Sequence, residues 1–151
     1  MHSGSLKAAI GSGVLATFVS AVAGYWFPAL GLSQLDLIAL NGGAVVPEQA
    51  SLALLWTVGA LQLFGGGVVM AILYGFWVQM HLPGPGWIRG LIWGGVLATV
   101  VGLGVVPLVY DGGPFGSDWG PRTVIALIAW HLLWGCVLGI AYHKQWDDST
   151  S

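Results

Sequence analysis

Four stretches of the chain contain no Asp, Glu, Lys or Arg: Ala8 to Leu35, Gln49 to Ile88, Gly90 to Tyr110 and Thr123 to His143. About 20 apolar residues let an α-helix cross the ~30 Å hydrocarbon layer of a bilayer, so each stretch is long enough to span. The runs far exceed the ~10 residues of a barrel strand, and a helix satisfies its own backbone hydrogen bonds in lipid. The pattern therefore predicts an all-α integral membrane four-helix bundle forming a single domain over residues 1–151, with spans at about 7–30, 51–80, 87–109 and 122–143. Between the second and third spans, His81-Leu82-Pro83-Gly84-Pro85-Gly86 reads as a short turn stiffened by two prolines. The segment 35–46 is apolar enough to lie on the membrane surface as a short helix, with Asn41-Gly42-Gly43 expected to break it.

The same pattern occurs twice. Residues 7–17, Lys-Ala-Ala-Ile-Gly-Ser-Gly-Val-Leu-Ala-Thr, match residues 89–99, Arg-Gly-Leu-Ile-Trp-Gly-Gly-Val-Leu-Ala-Thr, ending in five consecutive identities. In the second and fourth spans, Gly67-x-Val69-x-Ala71-Ile72-x-Tyr74 mirrors Gly135-x-Val137-x-Gly139-Ile140-x-Tyr142. This predicts two tandem transmembrane hairpins, about 7–80 and 89–143. Each copy holds two spans, so both enter the membrane in the same sense, as a parallel repeat about an axis near the membrane normal.

Charged residues make up 7% of the chain, too few to build a water-exposed surface, and four Lys plus Arg leave no basic patch for nucleic acid. Lys7, Arg89 and Lys144 fall on one side of an up-down topology and only Arg122 on the other. The positive-inside rule then places both termini in the cytoplasm, as expected for a prokaryotic inner membrane. Asp36, Glu48, Asp111 and Asp118 make the outer face mildly acidic. Lys7, the apolar run that follows it and Ala21-Val22-Ala23 have the form of a cleavable export signal. The apolar character continues through Tyr25, Trp26, Phe27 and Leu30, however, and the segment recurs internally, so a retained first span is expected.

Many of the 25 glycines lie inside spans at four-residue spacing. Gly67, Ala71 and Gly75 form one stripe, Gly90, Gly94, Ala98 and Gly102 a second, and Gly135 and Gly139 a third. Apolar burial does not drive helices together in lipid, so close backbone approach at small residues is the expected source of association. Trp26, Trp77, Trp87, Trp119 and Trp146 fall near span ends, where an indole suits the headgroup level, whereas Trp56, Trp93, Trp130 and Trp134 lie deeper. The lone Cys136 excludes an intramolecular disulfide and fits a small packing residue.

Two strongly polar side chains lie deep in the spans: Gln62 in the second and His131 in the fourth. They fall at comparable depth from the outer ends, so the two can meet across the bundle. An ionisable group inside the membrane is costly and marks a functional position by default; a neutral imidazole bonded to Gln62, to a Ser or Thr, or to a backbone carbonyl is the structural alternative. His131, Gly135, Gly139 and His143 share one stripe, an arrangement that resembles b-type haem helices, and Met70 is a possible second axial ligand. His131, Gln62 and Met70 are thus the candidate cofactor residues, for haem b or a quinone. His81, His143 and Met80 lack a carboxylate or thiolate to complete a metal set, and no orienting acid accompanies Ser12, Ser20 or His131 for triad chemistry.

From His131-Leu132-Leu133-Trp134-Gly135-Cys136 through Tyr142 the chain resembles a group of small prokaryotic four-span membrane proteins of unknown function with a similar His-to-Gly-to-Tyr helix. Those proteins tend to carry a histidine in the second span, where this chain has Trp56 and Gln62. The resemblance implies the architecture and no activity. The expected function is a non-catalytic packing or accessory subunit of a membrane complex, in contact with the lipid bilayer and with other membrane subunits or a second copy of itself. A haem- or quinone-binding redox module using His131 is the first alternative, and a small transporter or channel the second.

Overall fold

A computed structural model describes residues 3–33, 36–47 and 49–150, with side chains from 6 to 143. His2 and Glu48, and the side chains of Lys144, Trp146, Asp147 and Asp148, lie outside the described residues. Among the described residues six α-helices follow one another: α1 (Ser3–Trp26), α2 (Leu37–Gly43), α3 (Leu52–Leu73), α4 (Gly86–Leu97), α5 (Val106–Val109) and α6 (Pro121–Thr150). No strand occurs among the described residues. Wider π-helical turns continue α3 over Tyr74–Val78 and α4 over Ala98–Val105. Four continuous helical segments are long and apolar enough to cross a membrane: Leu6–Trp26, Leu52–His81, Gly86–Val109 and Pro121–His143.

The first span is shorter than the hydropathy suggested, because Pro28 enforces an exit: α1 stops at Trp26 and residues 27–32 form turns. The last helix is longer and continues beyond the span to Thr150. The expectation of a short helix within residues 35–46 is corrected in one respect. Asn41-Gly42-Gly43 does not break the helix but ends it; α2 packs on α3. Asp36 caps its N-terminus by accepting from the backbone N–H of Ile38 and Ala39, both at 3.0 Å, and Asn41 donates to the Leu37 carbonyl at 2.7 Å. Gly42 and Gly59 then let the two backbones touch: a Cβ at either position would run into the carbonyl of Leu55 or of Ile38.

Across the bundle the helices lie in the order α3, α1, α6, α4, since α1 packs on α3 and α6, α6 packs on α4, and α3 and α4 share no comparable interface. The two inner helices touch through small residues. On α1, Ala8, Ala9, Ser12, Gly13, Ala16, Thr17 and Ser20 are all buried. At the α4–α6 seam Gly86, Gly90 and Gly94 interdigitate with Gly135 and Gly139, and a Cβ on Gly90 or Gly135 would collide with the carbonyl oxygen of the other. Such an approach exchanges side-chain bulk for backbone dispersion contacts, the main attraction available between helices in lipid.

Replacing Gly90 or Gly135 by Val should lower stability by at least the ~1–3 kcal/mol of an overpacked core, because the clash is with backbone and not with a movable side chain. Gly95→Ala is the control: its Cβ would sit 3.9 Å from Leu132, an ordinary contact, so stability should hold or rise. Unfolding in mixed detergent micelles followed by circular dichroism measures both, and equal losses at positions 90 and 95 would refute backbone contact as the cause.

Candidate functional site

His131 is buried in the α4–α6 seam with 8% of its surface exposed. Its Nδ1–H donates to the Leu127 carbonyl one turn back, at 2.7 Å, which fixes the neutral tautomer with Nε2 as the remaining acceptor. The ring faces Gly102, where a Cβ would stand 2.9 Å from Cε1, and meets the Trp130 indole edge to face at 5.2 Å between centroids. The backbone-carbonyl form of the structural alternative is therefore the arrangement found.

Gln62 and His131 are not brought together. Trp134 lies level with Gly67, and Tyr142 with Gly75, so α3 and α6 run in parallel register with a constant offset. Gln62 is consequently near the depth of His131, as its position in the sequence suggested, but α1 lies between their helices and the imidazole is turned toward α4. No hydrogen bond reaches the Gln62 amide among the described residues. Met70 falls level with Val137, six residues or roughly 9 Å deeper than His131 at ~1.5 Å per residue. That separation removes the Met70–His131 ligand pair, and no macrocycle can share His131 with Gln62 through α1.

The π-turns coincide with the polar rings of α6. One contains Gly102, which receives His131, and the other contains Gly75, which receives Tyr142. Tyr142 Oη donates to the Gly75 carbonyl at 3.2 Å, and Tyr74 Oη donates to the Gly86 carbonyl at 3.4 Å. The two tyrosine rings stand edge to face, 5.8 Å apart. A π-turn widens the helix and loosens its i→i−4 ladder, so a carbonyl becomes available to a hydroxyl from outside. A further interhelical polar contact is Trp134 Nε1–H donating to Thr17 Oγ1 at 3.0 Å, buried between α1 and α6 beside Gly67.

The sequence reading missed α1 as a source of site residues. Ala9, Gly13, Thr17 and Ser20 repeat at helical spacing and face α3 and α6, a signal equal in kind to the glycine stripes of the other spans. It also missed an apolar cavity of about 710 Å³ between the C-terminal half of α1, the N-terminal half of α3 and the N-terminal half of α6, closed on one side by α2. Phe18, Tyr25, Phe27, Trp56, Phe64 and Trp130 supply its aromatic lining; His131 does not reach it. Among the described residues no hydrogen bond satisfies the buried Nε1–H of Trp130, nor the buried hydroxyl of Ser20. Of the other proposed packing positions, Ala71 meets Gly13, Gly67 meets Thr17, and Ala98 is buried.

No protein-family model, curated protein or solved structure matches the chain.

Trp134→Phe keeps the ring and removes the donor. It should cost about 0.6 kcal/mol, with ~1.7 kcal/mol as the upper range for hydrogen bonds inside membranes. Thr17→Val should cost a similar amount, and the double variant little more than either single one. Strictly additive losses in that cycle would show that the bond contributes nothing to stability.

Proposed function

We propose that the protein is a non-catalytic, self-associating subunit of a plasma-membrane assembly, and that the outer face of α3 is the docking surface. The observation that carries this reading is the state of α3. Only 6% of its most apolar window is buried within the chain, against 50% for α6. On that open face Gln62, Gly65, Gly66 and Val69 form one i, i+3, i+4, i+7 stripe. Gly65 and Gly66 are exposed, and a Cβ on either would meet nothing within 4 Å, so no contact inside the chain accounts for them. Glycine at a helix interior costs up to ~1 kcal/mol relative to alanine, a cost that close approach of another helix would offset.

A second copy of this chain is the occupant that suits Gln62. The amide carries both donors and an acceptor, so two copies related by a twofold axis normal to the membrane satisfy each other, Gln62 against Gln62. An unpartnered amide facing hydrocarbon is otherwise unfavourable.

The same proposal includes a topology with both termini cytoplasmic, supported by Lys7, Arg89 and Lys144 on one side against Arg122 on the other. It also includes descent from a duplicated hairpin. In support, α1 packs on α3 as α4 packs on α6, and Tyr74 and Tyr142, equivalent in the two copies, meet each other. The α1–α6 interface has no α4–α3 counterpart of similar extent, so any original symmetry is retained on one side only.

Single-molecule photobleaching in lipid vesicles at low protein density tests the association. Wild type should show two bleaching steps, and Gly66→Leu should shift the distribution to one step while far-UV circular dichroism stays helical. Gln62→Leu should weaken the dimer about tenfold or less, the ~1–2 kcal/mol scale of a membrane amide pair. One-step bleaching of wild type would sink the proposal.

A further inference from the structure

The cavity at the α2 end of the bundle is unrelated to the α3 stripe and carries a separate inference. Its volume, about 710 Å³, falls within the range of pockets that hold one medium-sized organic ligand. Several of its wall residues are exposed at the bundle surface, Phe18 by 57% and Trp56 by 42%, so it opens sideways toward lipid and not only toward water. A ligand can enter from the membrane.

One donor on this wall lacks a partner. Trp130 is buried, with 8% of its surface exposed, and its Nε1–H makes no hydrogen bond among the described residues. The N–H edge lies over Gly24, which lines the same cavity; a Cβ there would come within 3.4 Å of Nε1. Glycine at position 24 leaves no Cβ over that edge, and because the N–H itself is buried an acceptor reaches it when the wall there gives way. Trp134, one turn along the same helix, has its donor satisfied by Thr17. The buried Trp93 Nε1–H and Arg89 Nε–H are unsatisfied as well, and of these donors Trp130 is the one that lines the cavity. A buried donor without a partner is costly, and an acceptor placed there recovers most of that cost.

The remaining chemistry narrows the acceptor. Asp36 is the acidic residue among the described wall residues, and its carboxylate caps α2 by accepting two backbone N–H groups. A carboxyl group at that point of the wall disfavours an acidic headgroup beside it. Aromatic rings dominate the rest and favour a planar partner. Trp130 also lies nine residues, roughly 13 Å, inside the N-terminal end of α6, below the level of glycerolipid ester carbonyls.

We propose that this cavity binds a neutral, membrane-soluble quinone, its ring among the aromatic side chains and one ring carbonyl accepting the Trp130 N–H. His131 takes no part, which separates this site from a redox centre built on the histidine. The inference concerns binding alone and includes no electron transfer.

The test uses the full-length protein in nanodiscs of saturated phosphatidylcholine, equilibrated with a benzoquinone bearing a ten-carbon tail. Repurification is followed by extraction and quantification of quinone per chain. Wild type should retain about one equivalent. Trp130→Phe, which keeps the ring and loses the donor, should bind about fivefold to tenfold more weakly. Ala21→Leu, which reduces the space without touching the indole, should abolish retention, and it keeps the test decisive if the Trp130 variant does not fold. Decylbenzene, with the tail but no carbonyl, should bind more weakly than the quinone and equally to wild type and Trp130→Phe. Equal retention of quinone and decylbenzene, equal binding by wild type and Trp130→Phe, or retention of phosphatidylcholine in place of quinone would each overturn the proposal.

Discussion

Backbone contact at glycine is the constraint on which the bundle rests. Four of the helical segments are long and apolar enough to cross a membrane; in hydrocarbon, burying leucine against leucine gains little over leaving it in lipid, and attraction must come from atoms brought closer than large side chains permit. Gly86, Gly90 and Gly94 against Gly135 and Gly139 do this at one seam, and Gly42 against Gly59 at another. The consequence is a rigid α4–α6 pair beside a largely uncovered α3. Because α6 takes part in both inner interfaces, it carries the largest buried polar and aromatic groups, among them His131, Trp130, Trp134 and Tyr142.

Those groups in turn determine where the neighbouring helices depart from α geometry. His131 presses on Gly102 and Tyr142 on Gly75, and each glycine sits in a π-turn. A large ring directed at a helix needs both a missing side chain and room in the backbone. The widened turn supplies the second and exposes a carbonyl, which Tyr142 uses. His131 needs no such partner, since Leu127 on its own helix accepts from it. A histidine in mid-membrane can therefore be a packing residue whose polarity is spent locally.

The α2 end of the bundle is looser for a sequence reason. Pro28 ends α1 at Trp26, and the chain returns through α2 before entering α3. At that end α1, α3 and α6 are held apart by aromatic side chains and not drawn together by glycines, and the cavity is the space that results. Trp130 and Trp134 illustrate the difference one turn apart: the deeper indole finds Thr17, and the shallower one, at the cavity, finds no partner among the described residues.

By itself the sequence determined the solvent and the elements. Charge-free runs of more than 20 residues leave a helix as the satisfied backbone in lipid, and four-residue spacing of Gly and Ala follows from helical geometry alone. It also put Gln62 and His131 at one depth, because depth is a count along each helix. Only the tertiary structure decided which helices are neighbours. Azimuth and lateral order depend on how all four helices pack, and they place α1 between Gln62 and His131, separate Met70 from His131 by register, and set the Trp130 N–H against a cavity. Hydropathy is a property of single positions along the chain, whereas an unpartnered donor is a property of everything around it.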